Sequence, residues 1–209
     1  MKMYKVNNVI YFDKEVIVTY SDNVKQSELK ISLENYLDNP LVISQEISLK
    51  VIEEFKRKEE YLKLKNYAFL LIGKYEYSSY KLLKVLSKKY NNEKDIKKVI
   101  KEFTKKGYLN DDEYISNYIE KKISKKYGTS RIKMELLNEG FEKVDESLFE
   151  KYIDIEIANA ESLAKKYMAK YQNVSSEKLK QKLYRYLYGL GYQEHIIEQI
   201  FKKNNLTYY

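Results

Sequence analysis

Apolar and polar residues alternate near the start of the chain, as they do in β-strands. The runs at residues 9–12 and 16–20 are rich in β-branched and aromatic side chains, and a charged tripeptide separates them. This pattern predicts a short β-hairpin. A hairpin alone is only marginally stable in water, so we expect it to pack on a helix or on a third strand.

The pattern is less uniform over the next residues. Residues 29–33 alternate as in a strand, whereas Leu33 and Leu37 have a spacing that suits a short helix equally well. Pro40 is the only proline and marks a break in regular structure. From Ser44 onward the apolar residues have helical spacing, which predicts a helix.

From about residue 60 the helical pattern occurs three times. Each unit reads as a helix, a second helix that opens at a Ser, Thr or Gly, a short loop and a third helix. Ser78, Gly128 and Ser175 mark the three openings, and Ser78 and Ser175 are 97 residues apart, or about 48 residues per unit. A unit of this size buries little apolar surface alone, so we expect neighbouring units to share a core.

The sequence therefore predicts an all-α fold, an elongated tandem array of three three-helix repeats that resemble helix-turn-helix units, behind a small segment with a β-hairpin. The expected divisions are an N-terminal segment at 1–45, a linker helix with the first repeat at 46–109, the second repeat at 110–153 and the third at 154–209. The third helix of the second repeat is predicted from Val144, Leu148, Phe149 and Tyr152. The expected core residues include Phe103, Leu136 and Leu183.

The stretch from Gly107 to Ile119 predicts a joint between two helices. Two lysines followed by Gly107 are typical of a helix C-terminus, where glycine takes the left-handed cap. Asn110 can then act as the N-cap of the next helix. The run Asp111-Asp112-Glu113 places negative charge at the positive end of that helix.

Composition narrows the class of protein. The chain has no cysteine, which excludes disulfides and fits a reducing cytoplasm, and it has no apolar run of the ~20 residues that a membrane span needs. We expect a soluble cytoplasmic monomer.

The net charge of the chain is +8 and is unevenly distributed. Residues 1–60 hold 9 Lys/Arg and 11 Asp/Glu, whereas residues 61–209 hold 30 Lys/Arg and 20 Asp/Glu. This excess suits a polyanionic partner, although the chain is also rich in lysine throughout.

Two sets of basic residues are the main candidate binding sites for a partner or for DNA, and a third set is a weaker candidate. The first set surrounds Gly128 in the second repeat and comprises Lys121, Lys122, Lys125, Lys126, Arg131 and Lys133. Its lysines have i, i+4 spacing, which predicts two adjacent basic ridges on one helix, with Tyr118 and Tyr127 near enough to stack on bases. The second set comprises Lys178, Lys180, Lys182 and Arg185. The third, weaker set comprises Lys94, Lys97, Lys98 and Lys101. For the first set, a solvated helix face beside core tyrosines explains the pattern equally well.

Catalytic motifs are missing from the sequence. His195 is the only histidine, and no metal-ligand spacing or glycine-rich phosphate loop accompanies it. The run Asp111-Asp112-Glu113 could be a carboxylate cluster for a metal, but consecutive helical positions point in different directions, which favours the capping role. We therefore expect no enzyme activity, no metal and no cofactor. A hydrolase or transferase would depend on His195 alone.

Three stretches together resemble the RecX family of bacterial regulators. They are Gly107-Tyr108-Leu109 with Asp111-Asp112 and Tyr114, the run Gly128–Leu136 with Gly140-Phe141, and the run Lys180–Leu187 with Gly191-Tyr192 and Ile196-Ile197. Their order and spacing agree over roughly residues 62–203. Tyr90 departs from the pattern, since a glycine is usual there, and the first 60 residues carry little of the resemblance.

The resemblance implies a regulator of the RecA recombinase, with a role in DNA repair, recombination and the SOS response. It implies a non-enzymatic protein that binds the RecA filament on single-stranded DNA and modulates the recombinase and its ATPase, usually as an inhibitor, with weak DNA binding of its own. The alternative is a sequence-tolerant DNA-binding helix-turn-helix protein without a recombinase partner. No helix presents the Arg, Asn and Gln cluster that reads base edges.

Overall fold

The computed structural model describes residues 2–22, 24–171 and 175–206. Its strands are β1 (Met3–Tyr11), β2 (Glu15–Ser21), β3 (Gln26–Ser32) and β4 (Glu46–Ser48). Its helices are α1 (Leu33–Asp38), α2 (Leu49–Ile72), α3 (Ser79–Ser87), α4 (Glu93–Lys105), α5 (Asp111–Ser124), α6 (Thr129–Asn138), α7 (Ser147–Glu150), α8 (Ile153–Lys170), α9 (Ser176–Gly189) and α10 (Glu194–Lys203). The chain forms two compact units, one of Met1–Tyr75 with Val85–Phe103 and one of Glu76–Lys84 with Thr104–Tyr209.

The predicted hairpin is confirmed as β1 and β2, which form the centre of an antiparallel sheet in the order β3-β2-β1-β4. Both interpretations of residues 29–37 hold in turn, because β3 ends at Ser32 and α1 follows directly. The alternating residues Val16 and Val18 are fully buried and belong to the same core as Ile52 and Phe55 of α2. The hairpin is therefore stabilised by two further strands and by a helix.

The helix that the sequence predicts from Ser44 onward begins later than predicted, so its predicted start is wrong. Residues 46–48 form β4, which pairs with Met3–Lys5 of β1, and α2 begins only at Leu49. Sheet pairing outweighs the helical spacing here because Ile47 is buried in the sheet core. The sheet therefore extends three residues beyond the expected border at residue 45.

Beyond Ser48 the described residues contain no strand, so the helical fold predicted from about residue 60 onward is confirmed. The three expected core residues, Phe103, Leu136 and Leu183, are at most 1% exposed. The borders of the three repeats stay a prediction.

The predicted joint after α4 is confirmed at both of its ends. Gly107 has a φ of +73°, the left-handed conformation that glycine adopts without steric cost. Oδ1 of Asn110 accepts a hydrogen bond from the N–H of Glu113 at 3.2 Å and so caps α5. Ser78 is likewise a cap, since its Oγ accepts from the N–H of Lys81 at 3.1 Å.

The predicted third helix of the second repeat is wrong in its extent. Only one turn forms there, α7, and Val144 lies outside it, while Tyr152 precedes the first residue of α8. Oδ1 of Asp145 accepts from the N–H of Ser147 at 3.0 Å and starts the turn, and buried Phe149 anchors it. The turn stays short because α8 begins three residues after it ends.

The third repeat is packed through small residues on its first helix. Ala160 and Ala164 of α8 are fully buried, and they share a core with Leu183 and Leu187 of α9 and with Ile200 of α10. Small side chains on α8 let its backbone lie close to α9. This packing fixes α9, which carries the second set of basic candidates.

Candidate partner-binding surfaces

The second and third repeats are joined by direct backbone contact. The N–H of Gly128 donates to the carbonyl of Leu190 at 2.8 Å, and the N–H of Ser130 donates to the carbonyl of Gly191 at 3.1 Å. A Cβ on Gly128 would overlap the backbone of Gly191. Gly128, which the sequence places at a helix opening, and Gly191 therefore also permit this close approach.

A buried carboxylate reinforces this contact between the second and third repeats. Glu156 of α8 is 4% exposed, and it accepts hydrogen bonds from both the N–H and the hydroxyl of Thr129, the first residue of α6. A carboxylate at this position compensates the unpaired N–H groups and the positive end of α6. Glu156 therefore acts as the cap that Gly128, which has no side chain, cannot provide.

The loop between α5 and α6 and the end of α5 are each held by a hydrogen bond from another part of the chain. The hydroxyl of Tyr192 donates to the carbonyl of Lys126 at 2.8 Å, and Nδ2 of Asn159 donates to the carbonyl of Ile123 at 3.0 Å. Both donors come from the third repeat. The basic candidates next to this loop therefore lie on fixed backbone.

The predicted pair of basic ridges on one helix is wrong. Helix α5 ends at Ser124, Lys125 is its C-cap, and Lys126 has a φ of +63°, outside the helix. The helical i, i+4 spacing therefore does not continue to Lys126, and the ridge predicted from Lys122 and Lys126 does not form. The hydrogen bond from Tyr192 to the carbonyl of Lys126 stabilises the turn that replaces the last helical residues.

Two of the central cations are already paired with one carboxylate within the protein. Nζ of Lys122 lies 2.5 Å from Oε2 of Glu135, and Nε of Arg131 lies 3.0 Å from Oε1. Burial would raise the pKa of the Glu135 carboxyl, but hydrogen bonds from Lys122, Arg131 and Tyr118 outweigh it and hold the pKa at about 2. The carboxylate is thus charged at any physiological pH.

The two tyrosines of this region are covered by the same cations. Nζ of Lys122 lies 5.0 Å from the ring centroid of Tyr118 and 5.4 Å from that of Tyr127, and the Arg131 guanidinium lies 4.2 Å from the Tyr127 centroid. Tyr118 and Tyr127, which are expected to be near enough to stack on bases, are therefore already engaged within the protein, and their stacking on bases stays a prediction. Both rings are half-buried and in cation–π contact.

The other central candidates differ in how accessible they are. Lys126 donates through Nζ to Oγ of Ser162 at 2.8 Å, and Lys133 is paired with Glu146. Lys121 and Lys125 are exposed and have no ion pair within the described part of the chain. The central surface therefore offers two accessible cations rather than six.

Helix α9 presents the second set of candidates in a more accessible form. Lys178, Lys182 and Arg185 are exposed, and no carboxylate among residues 2–22, 24–171 and 175–206 is paired with them. Nζ of Lys182 lies 5.4 Å from the ring centroid of Tyr171, and half-buried Lys180 lies 5.4 Å from that of Phe201. This helix therefore carries the less compensated positive charge.

Sequence reasoning missed two tyrosines on α9. Tyr184 and Tyr188 are stacked, with ring centroids 5.7 Å apart and an interplanar angle of 11°, and Tyr188 is 62% exposed. Their i, i+4 spacing on a predicted helix was the available signal. A groove runs beside Tyr184, lined also by Lys180, Gln181, Arg185, Glu194, Glu198, Phe201 and Lys202.

The positive charge of the weaker set of lysines on α4 is partly compensated by other side chains. Lys97 is paired with Glu93 at 2.5 Å, and Nζ of Lys98 lies 4.7 Å from the ring centroid of Tyr61. Lys94 and Lys101 are exposed. The α4 set therefore resembles a solvated helix face more than α9 does.

The residues considered for chemistry lie apart from one another. His195 is exposed on the first turn of α10, and Oδ1 of Asp111 accepts from the N–H of Ser79 at 2.7 Å. Within the described ranges, no group of three or more His, Asp or Glu side chains is placed to hold a metal ion. None of the described helices is both long enough and apolar enough to span a membrane.

Comparison with known proteins gives consistent matches. A family model described as RecX, third three-helix domain, matches residues 154–201. The chain is 30% identical over 131 residues to the regulatory protein RecX of Haemophilus influenzae (strain PittEE), a match that covers 61% of this chain and 86% of that protein. It is 29% identical over 182 residues to the regulatory protein RecX of Clostridium beijerinckii, with 83% of each chain covered.

Solved structures match the fold at lower sequence identity. A crystal structure of regulatory protein RecX superposes with a TM-score of 0.75 and 16% identity, over 95% of this chain and 99% of that one. The crystal structure of RecX from Lactobacillus salivarius superposes with a TM-score of 0.62 and 20% identity, over 72% of this chain and 99% of that one. The first of these structures therefore matches almost the whole fold, whereas the second matches about three quarters of it.

Proposed function

Because this chain belongs to the RecX family of regulatory proteins, we propose that it binds the RecA filament on single-stranded DNA and lowers its recombinase and ATPase activity. The observation that carries the proposal is the 30% identity to a protein named regulatory protein RecX, over 86% of that protein's length. The proposal gives the chain a role in DNA repair and recombination. It assigns no catalytic step to any residue, and the single histidine is an exposed residue.

The charge distribution supports a polyanionic target. Residues 61–209 hold ten more Lys/Arg than Asp/Glu, and accessible cations lie on both α9 and the end of α5. A protein–DNA filament displays phosphates, which attract such a surface over a Debye length of roughly 10 Å at 0.1 M salt. Many weak contacts of this kind give binding that falls steeply as salt is added.

The backbone contact between the second and third repeats supports the use of the central surface and of α9 together. Because Gly128 and Gly191 are in contact and Glu156 caps α6, the second and third repeats keep their positions relative to each other. The cations Lys121 and Lys125 of the central surface and those of α9 therefore keep a fixed separation. A rigid arrangement loses less conformational entropy on binding than a mobile one.

The proposal is tested by adding the protein to RecA filaments on fluorescently labelled poly(dT). We expect the RecA ATPase rate to fall as the protein is added, and the protein to sediment with the filament. The double reversal Lys121→Glu/Lys125→Glu should weaken this binding, because it replaces two accessible cations. Lys122 and Lys126 are left unchanged because both are half-buried and engaged with other side chains.

A matched control changes the net charge equally at another place. Lys50→Glu/Lys56→Glu alters two exposed lysines of α2 in the other unit and should leave binding close to that of the parent protein. An unaltered ATPase rate at saturating protein, with no sedimentation, would contradict the proposal. Binding to bare DNA without any effect on the filament would support the alternative of a DNA-binding protein that has no recombinase partner.

A further inference from the structure

Tyr188 is a large aromatic side chain whose exposure the packing of the protein does not explain. It is 62% exposed, and its ring is nearly parallel to that of Tyr184 beneath it on α9. The stack holds the ring in one orientation and leaves a flat apolar surface in contact with water. A preorganised ring of this kind is suited to stack on another planar group.

Polar groups that suit a nucleotide lie on the same face of α9. Gln181, Arg185 and Tyr188 follow one another at spacings of four and three residues, which places them side by side on one helix face. Lys178 precedes Arg185 by seven residues, or about two turns, on that face. A phosphate-binding cation, a hydrogen-bonding amide and a stacking ring therefore lie in one row.

This row differs from the central surface in its balance of charge. Helix α9 carries four Lys/Arg and one carboxylate, Glu177, whereas Lys122 and Arg131 of the central surface are both paired with Glu135. The tyrosine rings of the two surfaces also differ in accessibility, because those of the central surface are covered by cations. Of the two surfaces, α9 alone combines an open ring with Lys178 and Arg185, which are exposed and have no ion pair in the described residues.

The carboxylates near α9 indicate how a strand would lie. Glu194 and Glu198 of α10 line the groove beside Tyr184, so they disfavour phosphates on that side of the helix. Arg185 lies at the edge of this groove, and Lys178, about two turns before it on α9, lies outside the groove lining. A nucleotide strand with its backbone toward these two cations would place its bases over Tyr188.

We propose that the exposed face of α9 binds single-stranded nucleic acid, with Tyr188 stacking on a base and with Lys178 and Arg185 contacting phosphates. A duplex does not fit this chemistry, because its bases are already stacked and paired. Stacking on an aromatic ring tolerates any base, so the surface is expected to bind without sequence preference. The inference rests on the proposed function, because it names the single strand as the partner of this surface.

The test measures binding of a fluorescein-labelled dT20 oligonucleotide by anisotropy, without RecA and over a range of salt concentrations. Tyr188→Ala should weaken binding about tenfold, in the range found for the loss of one stacked base, and leave the salt slope unchanged. Tyr188→Phe should bind as the parent does, because the ring is kept. Lys178→Gln/Arg185→Gln should lower the slope of log K against log salt by about 1.4, or about 0.7 for each lost phosphate contact.

Controls separate this surface from others and from the proposed function. Tyr75→Ala removes a ring of similar exposure in the other unit and should leave dT20 binding unchanged, while melting curves establish that each variant is folded. Unchanged dT20 affinity in folded Tyr188→Ala would overturn the inference, as would equal weakening of duplex binding. Loss of filament binding with intact dT20 binding would also overturn it and assign α9 to a protein partner.

Failure of the proposed function would look different. In that case the parent protein would leave the RecA ATPase unchanged, yet dT20 binding would still depend on Tyr188. Conversely, a folded protein that inhibits RecA but does not bind dT20 would keep the proposed function and overturn this inference.

Discussion

Thr129 and Glu156 form a buried hydrogen-bonded pair between the second and third repeats. The hydroxyl of Thr129 donates to Oε2 of Glu156 at 2.6 Å, and its N–H donates to Oε1 at 2.8 Å. Both side chains are less than 5% exposed. A carboxylate in this setting is stabilised only while its donors remain, so the pair links the start of α6 to α8 energetically.

The first prediction follows from this pair. Glu156→Ala removes both acceptors and leaves the hydroxyl and N–H of Thr129 buried without a partner. We expect a loss of about 1–3 kcal/mol in the free energy of unfolding, measured by urea denaturation. Glu120→Ala, which removes the same charge from an exposed site on α5, is the control and should change stability by less than about 0.5 kcal/mol. Equal effects of both replacements would contradict the prediction.

Local sequence signals identified the helix ends correctly. Gly107, Asn110 and Ser78 act through residues within four positions of themselves, so their roles can be read from the chain alone. The three-fold recurrence of the helical pattern likewise indicated the repeat fold. The β-hairpin was predicted because alternation is a property of the strand itself.

Features that depend on packing could not be read in this way. The turn after α5 is also held by Tyr192, whose hydroxyl donates to the carbonyl of Lys126 from 66 residues away. The neutralisation of Lys122 depends on Glu135, a partner on the neighbouring helix. A run of lysines therefore looked like one basic helix face, although only Lys121 and Lys125 remain accessible without an ion pair in the described ranges.

The second prediction concerns two glycines that lie two residues apart. Gly191→Ala should destabilise the protein, because Gly191 has a φ of +89° and a Cβ there would overlap Arg131. The left-handed conformation alone costs roughly 1–2 kcal/mol for other residues. Gly189→Ala is the matched control, since Gly189 ends α9 and a Cβ there meets nothing within 4 Å. Thermal melting should show a lower midpoint only for Gly191→Ala.

The third prediction uses two adjacent leucines of α6. Leu136 is fully buried in the core of the second repeat, whereas Leu137 is 55% exposed. Leu136→Ala should lower the free energy of unfolding by about 2–5 kcal/mol, because it removes core contacts and leaves a cavity. Leu137→Ala should change it by less than about 0.5 kcal/mol. The opposite order in denaturant midpoints would contradict the assignment of the buried face.

The fourth prediction concerns the pH dependence that Glu135 gives to stability. Hydrogen bonds from Lys122, Arg131 and Tyr118 outweigh the effect of burial and lower the pKa of this carboxyl from 4.5 to about 2. A carboxyl whose pKa is lower in the folded than in the unfolded protein stabilises the fold above the unfolded value. That contribution is lost as the pH falls from about 4.5 to about 2, because the carboxylate is then protonated.

Glu135→Gln keeps the shape of the side chain and removes its charge, so it should lower the melting temperature at pH 7. Hydrogen bonds to charged groups contribute about 1.5–3 kcal/mol, which predicts a decrease of several degrees. The difference between the variant and the parent protein should shrink as both are melted at successively lower pH below 4.5. Glu142→Gln, at an exposed site, serves as the control and should change the melting temperature little at pH 7. A difference for Glu135→Gln that stays constant down to pH 2 would show that the carboxylate does not hold Lys122 and Arg131 in solution.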